Sequence, residues 1–111
     1  MVSKEDRIRL THMLDASCKV AEFISGKRRA DLDTDEQLCL AVTRLLEIVG
    51  EAACALTDAF KISHDDIPWH AIVGTRNRLI HGYFDVDNDI LWNIASRDLP
   101  PLVSSLKKFL E

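Results

Sequence analysis

Four glycines, three prolines and three cysteines are all that 111 residues carry of the types that punctuate or staple a chain. So little glycine and proline excludes collagen-like and low-complexity architectures, and leaves few places where a helix must stop. Three cysteines are an odd number, and no two form a Cys-x-x-Cys pair. That argues against a disulfide framework and against cysteine-based metal motifs. Cys18, Cys39 and Cys54 lie among apolar neighbours in helix-like stretches and are expected to be buried free thiols. No apolar run reaches the ~18 residues of a membrane span. The start, Met1-Val2-Ser3-Lys4-Glu5-Asp6-Arg7, lacks the apolar core of a signal peptide. The expectation is a cytoplasmic protein with no membrane partner. An excess of positive charge is also lacking: 14 Lys and Arg against 18 Asp and Glu leave a formal net charge of −4, which argues against coating nucleic acid through bulk attraction. Any RNA site must be a local basic pocket on an acidic body.

What is present is a globular composition, 47% apolar and 29% charged, in a length that makes one domain, residues 1–111. The apolar period is helical. A first helix is expected over Lys4–Ser25, with Leu10, Leu14, Ala21 and Ile24 inward and Met13 and Val20 beside them. Ser3 and Asp6 read as its capping box, and Gly26 as its stop. Lys27-Arg28-Arg29 reads as a solvated loop. A second helix is expected over Thr34–Phe60, started by Asp33 and Glu36, with a wide apolar arc from Leu38 to Phe60. Pro68 suits the first turn of a third helix running to about His81. Phe84 to Asp87 reads as a turn, Asp87–Ser96 as a fourth helix, and Pro100-Pro101 as the opening of a last one. No stretch alternates with period two for long enough to make a strand. The fold class expected is all-α, an up-down bundle of four to five helices.

The chemistry concentrates in Gly74-Thr75-Arg76-Asn77-Arg78-Leu79-Ile80-His81-Gly82-Tyr83. On one helix, Asn77 and His81 would lie a turn apart on one face. Arg76 would reach the same volume from about 7.5 Å along the axis. RNA cleavage is a reaction such a set can serve. The 2′-hydroxyl must lose a proton and the 5′-oxygen must gain one, and histidine titrates near neutrality. Arginine's planar fork suits the phosphate as charge develops on it. Asparagine can orient the imidazole or hold a phosphate oxygen. None of these steps requires a metal or an organic cofactor. One histidine does not easily serve as acid and base in one turnover, and a two-fold dimer supplies a second.

By spacing alone, Arg-x4-His is a weak pattern, and Tyr83 reads as a packing residue at a helix end. The wider segment Ile67-Pro68-Trp69 through Tyr83-Phe84 resembles the signature of the HepT family of the HEPN superfamily. The resemblance extends upstream to Arg44-Leu45-Leu46-Glu47-Ile48-Val49-Gly50-Glu51-Ala52-Ala53. Downstream it takes in Val86-Asp87 and Asp98-Leu99-Pro100-Pro101-Leu102. It implies a helical HEPN-like homodimer, a toxin with ribonuclease activity and catalytic roles for Arg76 and His81. It also implies a minimal nucleotidyltransferase antitoxin as partner, which transfers AMP from ATP to Tyr83. Thr75 departs from the pattern, where methionine is expected, at a packing position.

Among lesser candidates, Glu51 is placed to pair with Arg76 and set its orientation, and Arg78 to contact an RNA backbone, with the solvated surface as the plainer reading of both. His64, Asp65, Asp66 and His70 match no tight ligand spacing, so no metal site is expected. Trp69 and Trp92 read as core or interface anchors rather than base-stacking platforms. Two functions of other classes compete with the ribonuclease, whose substrate would be tRNA or mRNA. One is a non-catalytic nucleotide- or substrate-binding subunit of a nucleotidyltransferase. The other is a plain dimerisation module, which leaves the polar constellation unexplained.

Overall fold

Ser3 starts the first helix as its spacing predicts: its hydroxyl accepts the Asp6 N–H at 3.1 Å. In a computed structural model describing residues 2–82 and 85–111, helix α1 spans Lys4–Ile24 and ends before Gly26, whose φ of 74° only glycine adopts freely. Its buried line is Leu10, Met13, Ala16, Ser17 and Val20, while Ala21 is exposed and Leu14 only partly covered. Asp6 does not complete the expected box. Its carboxylate reaches across the fold to Thr57, accepting the N–H at 2.9 Å and the hydroxyl at 2.6 Å.

That contact explains the first departure from the sequence reading. The single second helix expected over Thr34–Phe60 is three: α2 (Asp31–Thr34), α3 (Glu36–Ala55) and α4 (Asp58–Ser63). Asp35, not Asp33, caps α3 by accepting the Leu38 N–H. Thr57 is drawn toward Asp6 and caps α4, accepting the Phe60 N–H. A distant carboxylate thus breaks a stretch whose own period is continuous.

Helices α1 and α3 pack antiparallel. Leu10 and Met13 share one buried cluster with Val49, Ala53 and Leu56; Val20 shares a second with Leu38, Val42 and Leu46. Helix α5 (Trp69–Val73) crosses α3 closely at Gly50, where an added Cβ would meet the Ile72 carbonyl at 3.1 Å. Trp69 anchors α5: it is buried edge-on against Phe60 and donates from Nε1 to the His64 carbonyl at 2.9 Å.

After α6 (Thr75–Leu79) the chain forms a small antiparallel hairpin, β1 (Ile80–His81) with β2 (Asp85–Val86), in register Ile80 to Val86 and His81 to Asp85. The expected turn at Phe84–Asp87 is therefore partly strand, with Phe84 outside the described residues. The fourth and fifth helices are joined. Helix α7 (Asn88–Asn93) passes through a π-helical turn (Ile94–Asp98) into α8 (Leu99–Phe109), which packs on α1. Pro100 and Pro101 lack the N–H groups that would close α-type bonds to Ser96 and Arg97, and the wider turn accommodates their rings. The architecture is thus mainly helical with one small hairpin, and no described helix is long and apolar enough to cross a membrane.

Two surface expectations change as well. Cys18 and Cys54 are exposed; Cys39 is half-buried and donates to Asn88 Oδ1 at 3.3 Å. Arg29 is not merely solvated: it bridges Asp33 and Asp89, tying α2 to α7.

Candidate functional site

The site is built where α6 gives way to the hairpin. Helix α6 stops at Leu79 because the next residues are better satisfied extended. Ile80 takes φ −114° and ψ 120°, and it packs with Val86 against the second buried cluster. The Leu79 carbonyl accepts the Asp87 N–H at 2.8 Å. Gly82, at φ 77°, then reverses the chain. Burial of two β-branched side chains and one left-handed glycine outweighs continued helix.

The consequence corrects the expected geometry. His81 stands on a strand, so it does not share a helical face with Asn77. Arg76 and His81 instead come from adjacent elements, the helix and the strand that leaves it.

Each has a carboxylate beside it that sequence reasoning missed. Arg76 donates from Nε to Glu47 Oε2 at 3.2 Å, with Glu47 largely covered and the arginine side chain 55% exposed. One edge of the guanidinium is thereby fixed while the rest faces solvent. His81 Nε2 lies 3.9 Å from Asp87 Oδ2. The other Asp87 oxygen caps α7 by accepting the Asp89 and Ile90 N–H groups. The N-cap thus holds one oxygen still and turns the other toward the imidazole. Asp87 was legible as a helix start; Glu47 and both pairings were not.

Other candidates fall elsewhere. Glu51 pairs with Arg44 at 3.2 Å rather than with Arg76. Arg78 faces Asp98 at 3.9 Å on the opposite flank of α6. It also lines a cavity of about 530 Å³ walled mainly by Leu46, Ile72, Leu99 and Leu102. Asn77 is exposed. Tyr83 lies outside the described residues. His64 packs between the Phe60 and Phe109 rings, and no group of three or more metal-ligating side chains forms among the described residues.

An arginine held by a buried-side glutamate, followed by a histidine beside an aspartate, is the part of the chain with evident chemistry. A family profile described as Ribonuclease HepT-like matches residues 13–109. The chain belongs to the HepT-like ribonuclease family. Its similarity to curated members spans nearly the whole chain. A protein of Caldanaerobacter subterraneus subsp. tengcongensis, described as a candidate RNase, is 35% identical over 97% of this chain and 96% of its own length. A probable ribonuclease HepT of Thermococcus cleftensis is 40% identical over 80% of this chain and 81% of its own length. A candidate RNase of Methanocaldococcus jannaschii is 34% identical over 91% and 94%. No solved structure matches. Within this HepT-like chain, Arg76 and His81 therefore lie inside the family match, as do Glu47 and Asp87.

Proposed function

We propose that this HepT-like chain is a toxin-type endoribonuclease that cuts RNA without a metal, at a cleft shared by two copies of the chain. What supports the reading is an arginine, Arg76, held by Glu47 and, five residues on, a histidine, His81, faced by Asp87, both inside a ribonuclease family match. The imidazole of one His81 takes the proton of the 2′-hydroxyl as its oxygen attacks phosphorus. The bond to the 5′-oxygen breaks, and the second subunit's His81 returns a proton to that leaving oxygen. Products are a 2′,3′-cyclic phosphate and a free 5′-hydroxyl. The open edge of Arg76 meets the phosphoryl oxygens as charge accumulates on them. Asn77 and Arg78 are placed as contacts to flanking RNA, with tRNA or mRNA as substrate. Glu47, not Glu51, is the carboxylate of α3 that orients Arg76 in this reading.

Regulation follows from Tyr83, two residues after His81. A nucleotidyltransferase antitoxin joins the tyrosine oxygen to the α-phosphorus of ATP and releases pyrophosphate. The attached AMP adds negative charge and bulk where RNA phosphate must bind.

The test is cleavage of total cellular RNA by the purified, unmodified protein in EDTA, beside His81→Ala and Arg76→Ala. Cutting by the unmutated chain and by neither variant is the expected result. A dimeric chain of unmodified mass that leaves RNA intact would instead make this a nucleotide-binding partner subunit of a nucleotidyltransferase.

A further inference from the structure

The cavity behind α6 is apolar within and charged at its mouth, and the chemistry of Arg76 and His81 makes no use of it. It encloses about 530 Å³ between α3, α5, α6, the π-helical turn and α8. That volume falls within the ~300–1,000 Å³ of small-molecule sites. Its walls are aliphatic: Leu46, Val49, Leu99 and Leu102 line it, none more than 7% exposed. No aromatic ring among the described residues lines it. Thr75, where the sequence reading expects methionine, sits in the wall. Its hydroxyl donates to the Ile72 carbonyl at 2.6 Å, so it brings no unsatisfied donor to the interior.

At the mouth stand Arg78 and Arg97, with Asp66 and Asp98 beside them. Arg78 lies 3.9 Å from Asp98, too far for a hydrogen bond, and the two side chains are 44% and 58% exposed. Arg97 joins no ion pair among the described residues. Two guanidinium groups thus border an apolar slot with their paired donor edges unclaimed.

We infer that this cavity binds a small amphipathic acid, an unbranched alkyl chain whose carboxylate is held by Arg78 and Arg97. Walls so nearly out of contact with water leave a narrow slot, which suits a flexible chain better than a ring. Aliphatic walls offer burial without stacking. Arginine meets a carboxylate through two parallel charge-assisted hydrogen bonds. An alkylammonium would have only point contacts with Asp66 or Asp98. Asp98, more than half exposed, gives up its loose place beside Arg78 and turns to solvent. Arg78 therefore has two candidate partners, flanking RNA and this ligand. A titration without RNA reads the second alone, so the inference stands apart from the nuclease reading.

The test is calorimetric titration of the purified full chain with hexanoate, octanoate and decanoate, each below its micelle concentration. One molecule should bind per chain, with affinity rising about fourfold for each added methylene. Octanol should bind about tenfold more weakly than octanoate, and octylammonium no better than octanol. Arg97→Gln should weaken octanoate by about tenfold and leave octanol unchanged, because only the head-group contact is lost. Thr75→Met fills the slot from α6, and should abolish octanoate binding while Tm holds or rises. Ser105→Leu fills it from α8 and gives the same reading should Thr75→Met not fold. Four results would each overturn the site: no saturable binding, affinity independent of chain length, octylammonium tighter than octanoate, or a folded, filled variant that binds octanoate as the unmutated chain does.

Discussion

Removing the Asp6 carboxylate tests how the break between α3 and α4 is held. Asp6 is only 3% exposed and accepts the Thr57 N–H at 2.9 Å and hydroxyl at 2.6 Å. Hydrogen bonds to a charged group contribute about 1.5–3 kcal/mol each. Thr57 is itself exposed, so water recovers part of what Asp6→Ala removes. The expected loss is about 2 kcal/mol, or a fall in Tm of about 8 °C for a domain of this size. Asp6→Asn keeps one acceptor and the shape, and should cost about 1 kcal/mol. The pH dependence has a definite sign. Burial pushes the Asp6 carboxyl up, but the Thr57 hydroxyl and N–H, then Ser3 and the charge of Arg9, together hold it below its ordinary 3.8. A depressed carboxyl stabilises the fold above its unfolded value, and that stability is lost as pH falls through the folded one. Asp6→Asn lacks this contribution at every pH. Urea unfolding should therefore show a gap between the two proteins that is full at pH 7 and narrows as pH drops below 3.8. A gap that stays constant, or Asp6→Ala within about 0.5 kcal/mol of the unmutated chain, refutes the reasoning.

Three further outcomes follow from single contacts. Glu47→Ala frees the guanidinium edge that Glu47 holds, so RNA cleavage should fall by about tenfold in kcat with little change in Tm; unchanged turnover would show that Arg76 needs no fixed partner. Gly50→Ala drives a Cβ to 3.1 Å from the Ile72 carbonyl, where backbone must give, and should cost about 1–3 kcal/mol in urea unfolding. Ser17 buries a hydroxyl that finds no hydrogen-bond partner among the described residues, so Ser17→Ala should raise stability by about 1 kcal/mol; a loss on calorimetry would reveal a bond the side chain does make.

Local signals in the sequence carried the helices whose ends are chosen locally. Ser3 and Gly26 bound α1 by side-chain capping and a left-handed glycine, both visible in a few residues. The apolar period placed Leu38, Val42, Val49 and Ala53 inward on α3 because the helix has one buried face to satisfy. What was not legible depends on partners far along the chain. Nothing near Leu56 says that Asp6 will claim Thr57. Two residues of strand are too few to show period two, so Ile80 and His81 looked like the tail of α6. The cysteines misled for a related reason: apolar neighbours in sequence do not share a residue's helical face, and Cys18 and Cys54 point outward. At the site, type and spacing pointed only weakly to Arg76 and His81, and the resemblance to the HepT family is what singled them out. Glu47 and Asp87 were found only once α3 and the hairpin had been folded against α6.

The π-helical turn at Ile94–Asp98 makes chain length itself a constraint. Its Leu99 N–H bonds the Ile94 carbonyl five residues back, so this turn holds one residue more than an α-turn would. Deleting a single residue there would close the wide turn and let α7 and α8 fuse into one regular helix with its phase nearly unchanged. The cost would fall on Pro100 and Pro101, whose rings would meet the carbonyls one α-turn back. Substitutions in this turn are a matter of packing, whereas a one-residue deletion is a matter of room for the two rings. Lineages of this chain should accordingly vary the side chains of Asn93–Asp98 far more freely than their number.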